Sequence, residues 1–305
     1  MLEKVSTLGT VHHSFFGERF RPPAPEFYES LEAISEDERF QAIEIGYVEG
    51  LSSGELCELG SALDPFRVIV VNGGGAMNGG GFSLCCTDPD RLAASVAMAK
   101  KIVDLSCEVG AEACLFPSGE DCGPQDRRMA YYALIESLSD ICGYAARASG
   151  GKLVVTVEQM DRSFHHRQLL GPIRETIAAL EAVRAGCDNI GLTFDIAHSP
   201  QLEEDPVEAL TLARDIVYQV HLGNTVVGDQ ANPFYGDRHP PFGIDGGVYG
   251  RRELSEFLAA ARQSRLLSRN TVMSLEIRTP EGQDPYQTLA DARETLFAAW
   301  AQIDD

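Results

Sequence analysis

Eight short runs rich in β-branched residues recur along the chain, and each gives way to a polar or glycine-rich break and then to a longer amphipathic segment. The runs are VSTLGTV near residue 5, QAIEIGY near 41, FRVIVVN near 66, ACLFP near 113, KLVVTVE near 152, IGLTFD near 190, VYQVHL near 217 and VMSLEI near 272. Between them lie RLAASVAMAKKIVDLSCEVG, RRMAYYALIESLSDICGYAARASG, PIRETIAALEAVRAG and RRELSEFLAAARQSRLL, with PYQTLADARETLFAAWAQI closing the chain. Several of these begin with a helix-start signal, either a proline in the first turn (Pro172, Pro206, Pro285) or an aspartate just ahead (Asp90, Asp205). Strands alternating with helices in this number and over this length predict an α/β fold, a single (β/α)₈ barrel spanning residues 1–305. A doubly wound open sheet would carry a glycine fingerprint after its first strand, where this chain has His12-His13-Ser14-Phe15.

Composition narrows the partners. A hydrophobic content of 44% over 305 residues is enough to bury a full core. The formal net charge of -21 repels phosphate backbones and anionic headgroups, so neither nucleic acid nor a membrane surface is an expected partner. Eight cysteines are scattered, include the adjacent pair Cys85-Cys86 and form no C-x-x-C arrangement, which fits reduced thiols rather than a disulfide or zinc framework. No apolar signal core opens the sequence, and no run approaches the roughly 18 apolar residues of a membrane span. The expected location is the cytoplasm. The glycine-rich VNGGGAMNGGGF after the third run reads as a flexible loop over the barrel mouth or as an anion cradle, but it lacks the Lys-Ser/Thr ending of a phosphate loop.

In a barrel of this kind the reacting groups project from the C-terminal ends of the strands. The fifth strand ends with Glu158, the sixth with Asp195 and His198, the seventh with His221 and the eighth with Glu276. Four successive strands therefore offer two glutamates, an aspartate and two histidines to one space. Three converging carboxylates raise one another's pKa values unless a cation lies among them. A mixed carboxylate and imidazole shell suits Mn²⁺, Co²⁺, Fe²⁺ or Zn²⁺, and Mg²⁺ less well.

These strand ends resemble the xylose-isomerase-like superfamily of sugar and sugar-phosphate isomerases and epimerases, which also contains the type-IV apurinic endonucleases. The resemblance covers the whole chain in strand order, and its specific part runs from Glu158 to Glu276. It implies one divalent metal ion, Mn²⁺ first, held by Glu158, Asp195, His221 and Glu276, with His198 contacting substrate. The segment GDRHPPFGIDGG resembles the family's Asp-x-His followed by Pro and Gly, which makes Asp237, Arg238 and His239 substrate-contacting candidates. Two departures stand out: the loop from Gly223 to Tyr235 is long, and Asn224 replaces the family's acidic residue after the strand-seven histidine. The endonuclease branch needs histidines where this chain has Asn72 and Pro117, and its substrate would meet an acidic surface.

The resemblance thus implies a metal-dependent sugar isomerase or epimerase. The metal would stabilise the enediolate formed when a proton is removed beside a carbonyl. Glu158 and Glu276, on opposite faces of the substrate, would remove and return the proton. The same enolate could expel a β-leaving group, which makes a lyase acting on an oxo-sugar or oxo-glycoside the alternative. Support for it lies in VEQMDRSFHHRQLLGP, where His165 could act as an acid, although Arg162, His165, His166 and Arg167 could equally bind an anion or form an ion-paired surface helix. At most one of His12 and His13 is expected to enter the site, Phe15, Phe16 and Phe20 could wall a sugar ring, and Trp300 reads as core or interface. A metal-stabilised binding subunit is the non-enzymatic alternative. The expected partners are a small sugar or glycoside and either a second copy of the chain or, through the acidic surface, a basic partner subunit.

Overall fold

The computed structural model describes Leu2, residues 6–267 and residues 271–304; Val5, within the first predicted strand run, lies outside the described residues. All eight predicted strands form, and in this order: β1 (Thr7–Val11), β2 (Phe40–Gly46), β3 (Val68–Asn72), β4 (Ala113–Phe116), β5 (Val154–Glu158), β6 (Ile190–Asp195), β7 (Val217–Gly223) and β8 (Val272–Glu276). Every neighbouring pair is parallel and β8 closes on β1, so the sheet is a complete barrel. Long helices cross back between strands, among them Pro89–Glu108, Arg127–Ala148, Ile173–Arg184, Arg251–Gln263 and Pro285–Asp304.

The start signals act locally. Asp205 accepts from the Val207 and Glu208 N–H groups ahead of Pro206, and Pro285 opens the last helix. For the Pro89–Glu108 helix the cap is Asp88, whose side chain accepts from the Arg91 N–H; Asp90 lies inside the first turn. VNGGGAMNGGGF is not an open loop. Its Gly74–Gly79 portion is a short helix that buries Met77, and Asn72 Oδ1 accepts from the Gly74 N–H at 2.7 Å.

Period-two alternation separates two environments. Outward residues such as Ile43, Val71, Val157, Phe194, Leu222 and Leu275 join the core beneath the helices. A separate small apolar cluster of Val70, Ala113 and Leu115, with Tyr218 packed against it, fills part of the interior. Gly191 makes room for Tyr218, because a Cβ there would lie 2.9 Å from the tyrosine Cβ. Above this the interior turns polar: Thr193 donates to Thr156 at 3.0 Å, and Gln219 donates to Thr193 at 3.1 Å and to Glu44 at 2.9 Å. The residues at the C-terminal strand ends stand on this hydrogen-bonded layer. No described helix is long and apolar enough to cross a membrane, and all eight cysteines are free thiols.

Candidate metal centre

Strand register brings the four strand-end residues together. Asp195 lies opposite His221 across β6 and β7, and Glu276 follows Leu275, which pairs with Leu222 across β7 and β8. One ligand atom from each of Glu158, Asp195, His221 and Glu276 falls within 4.8 Å of every other. His221 Nδ1 lies 2.7 Å from Glu276 Oε2 and 3.4 Å from Glu158 Oε1.

Three of these side chains divide their atoms in the same way, with one held by protein and the other left over. Asp195 Oδ1 accepts from the Ala197 N–H at 2.7 Å, Glu276 Oε1 accepts from the Ser14 hydroxyl at 3.2 Å, and His221 Nε2–H donates to Glu44 at 3.0 Å. Asp195 Oδ2, Glu276 Oε2 and His221 Nδ1 are buried and make no well-aligned hydrogen bond among the described residues, although the last two face each other at 2.7 Å. Orphaned buried polar atoms are costly, and three aimed at one point fit a cation that all of them ligate. The donor set of carboxylate oxygens and one imidazole nitrogen matches Mn²⁺, Co²⁺, Fe²⁺ or Zn²⁺.

Glu44 was not among the residues picked out from sequence. It is fully buried in β2 and accepts from Asn72 Nδ2 at 2.7 Å as well as from Gln219 and His221. By accepting the Nε2 proton it fixes the His221 tautomer that leaves an Nδ1 lone pair toward the quartet. The signal available was one carboxylate inside the apolar run QAIEIGY. His13 was the other ambiguous residue. The strand stops at Val11, and His12 and His13 open a short helix. His12 Nε2–H donates to Ser30 in a pocket against Phe16 and Phe27, where burial drives its pKa down to about 3. His13 turns the other way, edge-on to Tyr47, and is charge-coupled to Glu44 and Glu276.

A second polar shell stands beside the quartet. His198 donates through Nδ1–H to the Gln159 carbonyl at 2.6 Å, and its Nε2 lies 3.0 Å from Asp237 Oδ1 and 3.6 Å from Asp195 Oδ2. His239 Nε2 is 2.8 Å from the same Asp237 oxygen, and His166 Nε2 is 2.7 Å from Asp237 Oδ2. Asp237 is thus ringed by three imidazoles.

The protonation shifts follow from burial and this crowding. Burial raises the Glu158 and Asp195 carboxyls above their ordinary range. Burial alone would lower the histidines, but Glu44 and Glu276 hold His221 well above its usual value, and Asp195 and Asp237 do the same for His198. His239, buried against Asp237, is raised to about 9. Desolvation opposes ionisation of Asp237 and Glu276, but the surrounding imidazoles keep both below the usual carboxylate range. The whole cluster calls for positive charge at its centre.

Residues 30–298 match the family model described as xylose isomerase-like TIM barrel. The chain belongs to that family. Among solved structures it is similar to an L-ribulose 3-epimerase (17% identity, TM-score 0.73, covering 98% of this chain and 97% of that one). It is also similar to a D-psicose 3-epimerase determined in the presence of D-fructose (16%, 0.72, 98% and 100%). A third is the 3-keto-D-glucoside 4-epimerase YcjR from E. coli (19%, 0.66, 97% and 99%). At these identities the likeness is one of fold. No curated protein matches the chain at a significant level.

Other predicted site residues divide. Asp237 and His239 are buried in the cluster, whereas Arg238 between them is exposed, outside it. The stretch after β5 is a loop, not a surface helix: the buried Asp161 carboxylate accepts the N–H groups of Phe164, His165 and His166 at 2.6 to 2.8 Å. His165 is exposed and stacks on His166 at 4.8 Å between centroids, so His166 alone of the pair touches Asp237. Arg162 is engaged by Glu175, Tyr131 and the Leu169 carbonyl, which leaves it a structural part. Asn224, the departure from the family pattern, holds the long loop after β7: its Nδ2 donates to the Pro241 carbonyl and its Oδ1 accepts from the Tyr249 N–H.

Proposed function

We propose that this protein is a divalent-metal-dependent sugar isomerase or epimerase that works by moving a proton next to a carbonyl. The observation carrying this reading is the quartet of Glu158, Asp195, His221 and Glu276, with three orphaned ligand atoms aimed at one point. The 3-epimerases and the keto-glucoside 4-epimerase with the same fold agree with it. A divalent cation supplies, when bound, polarisation of a carbonyl and hence acidity at the neighbouring C–H. Glu158 and Glu276, from β5 and β8, stand on either side of His221 and serve as the pair that takes and returns the proton. His198 and His239, held by Asp237 beside the quartet, are the residues that would border the substrate there. Arg238, exposed beside them, is a further substrate contact.

One observation favours elimination as a second reading. His165 and His166 line a cavity of about 540 Å³ with Phe82, Cys86 and Arg91, and a leaving group that extended from the quartet into it would meet an imidazole there. Expected partners are accordingly a ketose or an oxo-glycoside.

The test is elemental mass spectrometry on protein purified without chelator, followed by NMR of ketoses and oxo-glycosides incubated with it and Mn²⁺ in D₂O. About one equivalent of metal, reduced in Glu276→Gln, and deuterium appearing beside the carbonyl are expected. Loss of an aglycone with formation of an unsaturated sugar would move the assignment to the lyase. Absence of metal even after Mn²⁺ is added back would sink both enzymatic readings and leave only a binding subunit that needs no metal.

A further inference from the structure

A second cavity of about 540 Å³ opens directly onto the quartet, with Glu276 in its wall. It lies between the loop after β1 and the loop after β8, and its other lining residues include Phe16, Tyr47, Arg19, Arg21 and Arg278. The chain carries 46 acidic residues against 25 Lys and Arg, yet here three arginines face two carboxylates, Glu18 and Glu276, and the latter belongs to the quartet. In a protein of net charge -21 this local excess of positive charge runs against the rest of the surface.

The arginines are also positioned. Arg21 lies over the Tyr47 ring with its guanidinium carbon 3.7 Å from the ring centroid, a contact through the ring face that does not consume its N–H donors. Tyr47 itself holds a positive φ of 64°, a conformation that costs an aromatic residue energy and that clusters at binding sites. Its ring is confined by Arg21, by His13 edge-on and by the bare backbone of Gly75, where a Cβ would come within 2.9 Å. On the other wall the Arg278 N–H donates to the His239 carbonyl at 2.7 Å and the Thr279 hydroxyl donates to the Phe15 carbonyl at 2.7 Å, so both loops are tied to the site. Arg21 makes only a 3.4 Å pair with Glu18, an 85% exposed side chain, and Arg19 rests on Phe20. Among the described residues no ion pair engages Arg19 or Arg278.

We infer that the substrate carries an oxyanion, a carboxylate or a phosphate, which Arg19, Arg21 and Arg278 receive in this cavity while its carbonyl end reaches the quartet. This deepens the reading of the site as one for a sugar carbonyl and rests on that reading for the position of the reacting end. A guanidinium meets either oxyanion with paired N–H donors, so the geometry recognises the shared chemistry.

Calorimetric titration with D-fructose, D-fructuronate and D-fructose 6-phosphate separates the sources, because the three ligands differ at one terminal group. The titrations use wild type, Arg21→Gln, Arg278→Gln and the double variant, each loaded with Mn²⁺, with melting temperature as a check that substituting the half-buried Arg21 and the exposed Arg278 leaves the fold intact. At least one anionic ketose is expected to bind on the order of tenfold or more tighter than D-fructose. That preference should shrink with added salt and collapse in the double variant. Preference for the carboxylate names a sugar acid, preference for the phosphate a sugar phosphate. Equal binding of all three ligands, binding of neither anion, or a preference that the double variant keeps would overturn the inference. An anion preference in protein that holds no metal and exchanges no proton would leave the inference standing and sink the proposed reaction. Metal with proton exchange in D-fructose but no anion preference would do the reverse.

Discussion

Glu44→Gln tests the reading of the metal centre at a fully buried point, because it keeps the side-chain volume while removing the charge and turning one acceptor oxygen into a donor. All three partners of Glu44 are donors: His221 Nε2–H and Gln219 Nε2 to one oxygen, and Asn72 Nδ2 to the other. A glutamine has one oxygen and one NH₂ group, so one side must become a donor facing a donor. If the NH₂ turns to Asn72, that amide can flip only by giving up its 2.7 Å bond from the Gly74 N–H. If it turns to His221, the imidazole must carry its proton on Nδ1, and the lone pair directed at the quartet is lost. Either way a buried polar group loses its partner at a cost of about 1–3 kcal/mol; in the first arrangement the cost falls on the stability of the fold, and in the second it falls on metal affinity, by roughly 10–100-fold. The assay is chelator competition with Mn²⁺ or Co²⁺ on folded wild type and Glu44→Gln, read beside the melting temperature of the metal-free forms. A folded Glu44→Gln with both metal affinity and metal-free melting temperature unchanged would refute the claim that Glu44 is held by three donors and sets the His221 tautomer.

Three further outcomes follow from the same contacts. Gly223→Ala would place a Cβ 2.5 Å from His239 Nδ1 and 3.1 Å from Ala197 Cβ; it should destabilise by about 1–3 kcal/mol in urea unfolding and displace His239 from Asp237. Asp161→Asn removes the charge that collects the three N–H groups of residues 164–166 and should raise hydrogen exchange in that loop, while metal content stays the same because no quartet residue touches Asp161. In chelator-treated protein, His239 has a folded-state pKa raised from 6.5 to about 9, so its stabilising proton is fully present below 6.5 and lost as pH rises through about 9. Glu158 and Asp195, both raised by burial, push in the same direction. Urea midpoints of that form should therefore fall across this window, and loading a cation should flatten the slope; a flat profile without metal would contradict the charge balance described here.

What was legible in the sequence and what was not differ by the range of the interaction involved. The eight strands and the quartet could be read because strand period and strand-end position are local properties, and parallel closure of the barrel does the rest: Asp195 meets His221 through register alone. Local signals also misplace details, as when Asp88 rather than Asp90 caps the helix after β3, since both are aspartates within the same three residues. Glu44 could not be read, because an acidic residue inside an apolar run has no meaning until β2 and β7 face each other across the barrel and bring it 3.0 Å from an imidazole 177 residues away. The histidine pair after β5 shows the same limit. Asp161 gathers the backbone of the loop, the two rings stack, and only the position of Asp237, on the loop after β7, selects His166 as the one engaged. The residues that supply chemistry in such a barrel lie at positions that topology announces, whereas those that orient them are drawn from distant strands and declare themselves only in three dimensions. This is why the decisive substitution falls on Glu44, where a loss of metal affinity would act through the His221 contact and the buried charge and could not be ascribed to removal of a ligand.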